Sequence, residues 1–358
     1  MANTLKFGNG NWAIKEDSIL AYSDQYDNFK PLPFDFARAS NATVVNKEGL
    51  IETVANGIPR IDFADSEDGA MLLEPQRTNL VTYSEDFSNV AWIKTGAGLG
   101  TAPVLTSNYG ISPDGTQNAS RLQMNLNGGT TGSDISYLSF FISSISSAAN
   151  SVYLKSLGGN ATMTFRCGST FKSIIVTNEW QRFDVVDASG TDRFQILLYG
   201  NSSSQSADLL IYGAQLEEGT YPTSYIPTQG STVTRLRDES TKDDFSILTV
   251  GNSYTLFFDV DLNEKDDNKT FFNIENSSGS TSFTVRSVIG GMVRVYNNLD
   301  LQYPTGNLAS STSKWVVRID GTSFKIFGAE GSLSGTLTTA RDMGEGIFGR
   351  FTQTKIND

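Results

Sequence analysis

The chain has 358 residues, no histidine and a formal net charge of −12. The missing histidine removes Ser-His-Asp and Cys-His catalysis and the common zinc sites, and the acidic balance, with no Lys/Arg cluster against it, opposes binding to a nucleic-acid backbone. Hydrophobic residues at 38% and aromatics at 11% suffice for packed cores, so a folded chain of two or three domains is expected.

The N-terminus lacks the apolar stretch of a signal peptide. No apolar run approaches the length of a membrane span. A chain made in a cytosol that does not enter a bilayer is expected. Residues 1–77 are irregular and aromatic, with Trp12, Tyr22, Tyr26, Phe29, Phe34 and Phe36. Strand-like pieces occur only at Thr43–Asn46, Leu50–Val54 and Met71–Leu73. Apolar surface with so little regular structure reads either as an attachment and oligomerisation arm or as a segment packed on its neighbour.

Residues 78–234 are dominated by period two. Strands are predicted at Ala119–Met124, Tyr137–Ile142, Val152–Leu157, Thr162–Cys167, Lys172–Val176, Trp180–Val186, Phe194–Tyr199 and Asp208–Leu216. Gly, Asn and Ser clusters separate them, as in a jelly roll. Met163, Phe165 and Cys167 alternate, so the single cysteine is expected in a core as a small hydrophobe. Tyr221–Thr228, with two prolines, reads as an extended connector, and Gly230–Thr234 as a short linker.

Residues 235–358 continue the pattern. In Ser253–Leu262, Tyr254, Leu256, Phe258, Val260 and Leu262 share one face. Phe271–Ile274, Ser282–Val288 and Met292–Tyr296 follow. Trp315, Val317 and Ile319 lead into Asp320-Gly321, a hairpin signal, with Phe324 and Ile326 after it. The expected class is all-β: an N-terminal irregular attachment segment followed by two β-sandwich jelly rolls.

Four phrases carry a family resemblance. They are Phe36-Ala-Arg-Ala-Ser-Asn-Ala-Thr-Val-Val-Asn-Lys-Glu-Gly-Leu-Ile-Glu52, Ile58-Pro-Arg-Ile-Asp62, Leu72-Leu-Glu-Pro-Gln-Arg-Thr-Asn-Leu80 running into Tyr83–Ser88 and Trp92, and Tyr212-Gly-Ala-Gln-Leu-Glu-Glu-Gly-Thr-Tyr-Pro-Thr-Ser-Tyr-Ile-Pro227. Together they resemble the head-fibre and tail-fibre proteins of tailed bacteriophages, especially the crAss-like phages of Bacteroides hosts. The opening Leu5–Ala13 is similar to the start of the head-fibre proteins. The resemblance covers the first two thirds of the chain. The last third is similar to a laminin-G-like or concanavalin-like jelly roll by pattern alone, a domain that elsewhere continues with more strand and a short helix.

This resemblance implies a virion structural protein, a head-fibre subunit on the outer surface of the particle, assembled in the host cytoplasm. It implies a homo-oligomer, a trimer in preference to a dimer, bound to other capsid or fibre proteins through residues 1–77. Weak adhesion to host or environmental glycans goes with it. The alternatives are a tail-fibre adhesin that recognises host surface glycan and, third, a polysaccharide depolymerase.

No enzyme is expected. Glu85-Asp86 and Glu217-Glu218 are adjacent pairs, and neighbours on a strand point to opposite faces, so neither pair flanks one glycosidic bond. In the related carbohydrate-binding jelly rolls the first and last strands lie side by side, and carboxylates from each can hold a structural calcium. The resemblance thus makes Glu85, Asp86 and Glu217 candidate calcium ligands, with no other cofactor expected. The acidic stretch Asp261, Glu264, Asp266, Asp267 and Asn268 lacks EF-hand spacing and reads as a solvated loop. For stacking on a sugar ring, Trp92, Trp180, Trp315 and Tyr296 come into question. Trp180 and Trp315 open alternating strands and read as core, which leaves Trp92 as the candidate.

Overall fold

The computed structural model describes residues 34–242, except 66, 68 and 202, together with strand segments on either side and one hairpin turn. Every regular element among the described residues is a β-strand, so the chain is all-β. It divides into two units. One comprises Met1–Glu48, Thr53–Gln76 and Leu236–Asp358, and the other Gly49–Glu52 and Arg77–Arg235.

The second unit is a jelly roll. Its strands are β1 (Trp92–Ala97), β2 (Thr101–Gly110), β3 (Ala119–Asn125), β4 (Ile135–Ile145), β5 (Ala148–Ser156), β6 (Ala161–Cys167), β7 (Thr170–Val176), β8 (Gln181–Asp187), β9 (Thr191–Tyr199) and β10 (Ser206–Glu218). They form two five-stranded antiparallel sheets, ordered β1-β4-β9-β6-β7 and β2-β3-β10-β5-β8. Alternation sends Leu138 and Phe140, Phe165 and Cys167, Phe194 and Ile196 inward from one sheet. Leu122 and Met124, Val152 and Leu154, Leu209 and Ile211 face them from the other. Each large aliphatic or aromatic side chain so buried contributes about 1.5–3 kcal/mol.

β3 to β10 fall on the predicted strands. β1 and β2 carry no such pattern: only Pro103 of β2 is buried, and the strand forms a sheet edge. An edge strand with both faces largely wet has no need to alternate. In β10 the phase slips once. Ile211 and Ala214 both face the core, and Gly213 between them is a bulge residue at φ +64°. The positive φ favours glycine, and a Cβ there would sit tightly, within 3.2–3.3 Å of the Tyr153 and Tyr225 rings.

The expected connector is a strap instead. Thr223, Tyr225, Ile226 and Thr228 are buried, and Val233–Arg235 pairs with Arg77–Asn79. Asn79 holds the strap to β10: its Nδ2 donates to Ala214 O (3.1 Å) and Ile226 O (2.8 Å), and its Oδ1 accepts from the Val81 and Leu216 N–H groups (both 3.1 Å). Proline kept Tyr221–Thr228 out of a ladder, but side-chain partners replaced the ladder bonds.

In the first unit, N-terminal strands pair with strands from the C-terminal third. Phe34–Ala37 pairs with Glu239–Lys242, and Ala70–Leu72 with Lys355–Ile356. The N-terminal strands thus join an eight-stranded and a seven-stranded sheet together with C-terminal strands. A buried ionic cluster links their flanks. Asp238 pairs with Arg38 (3.2 Å) and with Arg60, Arg60 also pairs with Glu74 (2.9 Å), and Asp238 and Glu74 exchange backbone contacts. Burial opposes the charge of Arg60, but Asp238 and Glu74 outweigh it and raise its pKa. Removing one partner from such a cluster leaves a buried charge uncompensated, at about 3–5 kcal/mol. Arg38, Arg60 and Glu74 come from three separate resemblance phrases, so those phrases encode a structural joint.

The hairpin also forms, one residue later than expected. Asp320 pairs with Ser323, so Gly321 and Thr322 make the turn, with Gly321 at φ +59°. The acidic stretch Asp261–Asn268 beyond its strand and the side chains of Tyr296 and Trp315 lie outside the described residues.

Candidate functional site

The jelly roll has two outward faces, one covered and one open. The covered face belongs to β2-β3-β10-β5-β8. Here Tyr212, Tyr153 and Arg182 lie side by side across β10, β5 and β8. Tyr225 of the strap closes over them, its ring 5.5 Å from Tyr212 and 6.5 Å from Tyr153. The Arg182 guanidinium lies 5.5 Å from the Tyr153 ring centre and donates to Thr223 O at 2.6 Å.

Glu85 meets both of these tyrosines, and Asp114 meets Tyr212. The Tyr225 hydroxyl donates to Glu85 Oε1 at 2.9 Å, and the Tyr212 hydroxyl lies 3.2 Å from Glu85 Oε1 and 3.1 Å from Asp114 Oδ2. Tyr212 has one proton for two carboxylates. Burial raises the Glu85 pKa, against the tyrosine hydrogen bonds that lower it. Burial also works against Asp114, but Ser112, Thr116 and Asn118 outweigh it and hold that carboxyl down at about 2. Both tyrosines are raised, by burial first and Glu85 second.

The three candidate calcium ligands occupy three different settings. Glu85 binds the tyrosines. Asp86 is exposed and accepts from the Ser88 N–H and hydroxyl at 3.1 and 2.5 Å, within its own turn. Glu217 is buried beneath the strap, where it accepts from the Thr223 N–H (2.8 Å), the Thr223 hydroxyl and Gln215 Nε2 (2.8 Å), and burial raises its pKa. Among the described residues no three His, Cys, Asp or Glu side chains are grouped to hold a metal ion. Glu218, adjacent to Glu217, is exposed on the other side of the strand.

Trp92 is a core residue. Phe87, Phe140 and Phe194 pack around its ring at 4.9, 5.2 and 5.4 Å, and its Nε1 donates to Tyr83 O at 2.9 Å. With 2% of it exposed, no face is left for a sugar. Trp180, expected in the core, is half-buried and donates to Ile111 O at 3.1 Å. Cys167 is buried as expected, and burial pushes its thiol up to about 11, far from reactive thiolate chemistry.

The open face belongs to β1-β4-β9-β6-β7. The inward set fixes the outward one, and Ile93, Ser139, Gln195, Arg166 and Phe171 form one row across all five strands. Ile93, Phe141, Phe171 and Ile175 are 44–56% exposed. Each arginine lies over the phenyl ring directly opposite it: Arg166 at 4.6 Å from Phe171, and Arg193 at 5.1 Å from Phe141. Arg166 donates through Nε to Gly168 O (2.8 Å) and through Nη1 to Gln195 Oε1 (3.2 Å). Burial and then the charge of Arg193 lower its pKa, though a guanidinium stays protonated. Rings, amides and guanidinium forks on a flat sheet are the groups that hold sugars, by stacking and by hydrogen bonds. Sequence reading centred on tryptophan missed this face. The signal was present in the residues between the core positions, such as Arg166 between Phe165 and Cys167.

No known family model matches the chain. No curated protein matches it in sequence. Among solved structures, the family 11 carbohydrate-binding module of the cellulosomal cellulase Lic26A-Cel5E of Clostridium thermocellum aligns at a TM-score of 0.28 and 11% identity, over 41% of this chain and 96% of that one. The CBM22-1 xylan-binding domain of Paenibacillus barcinonensis Xyn10C aligns at 0.26 and 13%, over 41% and 94%. The CBM22-1-CBM22-2 tandem of the same enzyme aligns at 0.27 and 13%, over 79% and 98%. A likeness at this level assigns neither family nor ligand.

Proposed function

We propose that the chain is a non-catalytic structural subunit of a bacteriophage particle, a head fibre, whose jelly roll adheres weakly to glycans through its open sheet face. The observation that carries the adhesive role is that face, with Phe171 and Phe141 half exposed beneath Arg166 and Arg193, and the buried Gln195 holding Arg166 in place. The fibre role rests on the sequence phrases. Their residues build the Arg38–Asp238–Arg60–Glu74 joint and the Asn79 clasp, parts a fibre family would keep as architecture. A non-catalytic role is supported by the carboxylates, since Glu85, Asp86, Asp114 and Glu217 are all engaged by protein donors. Weak sites repeated on one particle add through avidity.

Antibody against the chain should label the outside of particles purified from its source, at the head. Label at the tail tip supports the tail-fibre alternative, and particles free of the chain overturn the virion role. Light scattering on the full chain should give a trimer. Release of reducing ends from a bound polysaccharide would show a depolymerase instead.

A further inference from the structure

The open face carries a charge pattern opposite to that of the whole chain. On β1, β4, β6, β7 and β9 the outward positions hold Arg166 and Arg193, and no Asp or Glu alternates onto them. Arg193 has a counter-ion: Asp192 takes its Nε and Nη2 at 2.6 and 2.9 Å. Arg166 has none. Among the described residues it forms no ion pair, its two hydrogen bonds go to neutral oxygens, and its Nη2 donates to no protein group. Arg166 and Arg193 are diagonal neighbours, about 7–8 Å apart at Cα, so each cation raises the potential at the other. Ser139 Oγ, in the floor of the same row, is buried and has no hydrogen-bond partner.

We propose that this face binds an acidic polysaccharide, with Arg166 taking a sugar carboxylate and Phe171 stacking on the pyranose ring beside it. This builds on the adhesive role proposed for the same face and adds its ligand class. A guanidinium fork matches a carboxylate in plane and spacing. Its position over Phe171 puts the carboxylate next to an exposed ring, the relation between C6 and the ring in a uronic acid. A uronate polymer carries at most one charge per sugar on a ring that stacks. A nucleic acid brings a continuous phosphate backbone against a chain of net charge −12. One guanidinium without a direct ion pair suits the former.

The test is affinity electrophoresis of the full chain in gels containing polygalacturonate, alginate or hyaluronan. Fully methyl-esterified polygalacturonate and a neutral mixed-linkage β-glucan serve as uncharged counterparts. At least one acidic polymer should retard the chain, and its esterified or neutral counterpart should do so about ten-fold less. Raising salt from about 50 to 500 mM should weaken the interaction several-fold. Arg166→Gln should lower affinity about ten-fold, as should Phe171→Ala. Arg166→Lys, which keeps charge without the fork, should fall between. Arg121→Gln, on the other sheet, should change nothing. Near-UV circular dichroism from the Trp92 core checks that each variant is folded. Equal binding of acidic and uncharged polymers, lost in Phe171→Ala, overturns the acidic assignment and leaves the adhesive role intact. No retardation by any polymer overturns both, and the virion role is then decided by labelling alone. Tighter binding of a single-stranded oligonucleotide than of every acidic polymer also overturns the proposal.

Discussion

The covered and open faces of the jelly roll arise from the same alternation of strands around one core, yet they end in opposite conditions. On the covered face the strap supplies Tyr225, Thr223 and Ile226, and the polar groups of β10 and β5 close into a buried network. On the open face no strap covers the sheet: the rings of Phe141 and Phe171 carry only the guanidinium groups of Arg193 and Arg166 from the same sheet and stay about half exposed, and Arg166 keeps an unfilled donor. The tyrosines whose pKa values burial raises, Tyr212 and Tyr225, belong to the closed network. Perturbed titration is a common marker of active chemistry. Here it marks architecture, and the recognition groups are the ordinary-looking ones on the other sheet.

That division predicts that stability and binding respond to different residues. The largest loss of stability is expected for Trp92→Ala, about 3–5 kcal/mol, because a buried indole packed on three phenyl rings is deleted. Urea unfolding measures it, and the folded fraction should still bind polysaccharide with unchanged affinity. A specific loss of binding with little loss of stability would restore Trp92 as a sugar platform. Asn79→Ala comes next. It leaves two carbonyls and two N–H groups of the clasp without their partner, and about 3 kcal/mol follows if part of the set finds water. Proteolysis should then cut first within Tyr221–Thr228. Phe171→Ala inverts the pattern: stability should shift by less than about 0.5 kcal/mol, since the ring is a surface group, while affinity for the acidic polymer falls about ten-fold.

The jelly-roll strands were legible wherever a strand separates a dry face from a wet one, which is why β3 to β10 stand out and β1 and β2 do not. The strap was not legible. Its prolines advertise an extended segment, and only the Asn79 and Gln215 side chains, distant in sequence, show that it is docked. The Glu85 setting was beyond reach for the same reason, since its tyrosines lie 127 and 140 residues away. Trp92 misled because tryptophan is as suited to a core as to a sugar, and the choice depends on burial that spacing does not encode. The open face could have been read, because a strand whose core residues are known has a known complement. Arg166, Phe171, Arg193 and Phe141 all follow from the positions of Phe165, Ile174, Phe194 and Phe140.

The smallest expected effect tests the covered face through pH. Glu85 has its pKa raised above the usual 4.5 in the folded chain. Below 4.5 it is protonated folded or unfolded, and its favourable contribution is fully present. As pH rises, the unfolded chain releases the proton first, so that contribution is lost progressively through the raised folded value. Asp114, two hydrogen bonds away through Tyr212, has the opposite sign: held at about 2 against the usual 3.8, it stabilises above 3.8 and loses that contribution as pH falls towards 2. Glu85→Gln keeps an acceptor for both tyrosines and removes the titration. Urea midpoints of the variant should therefore decline less than those of the wild type on going from about pH 4.5 towards neutrality, while the acid limb, to which Asp114, Asp134 and Asp187 all contribute, stays in place. Glu217, raised by the same burial, contributes in the same direction, so Glu217→Gln should flatten what slope remains. Arg166→Gln on the open face should leave the profile as it is. Equal slopes in wild type and Glu85→Gln would mean that water reaches Glu85 freely, and that the strap does not close this face in solution.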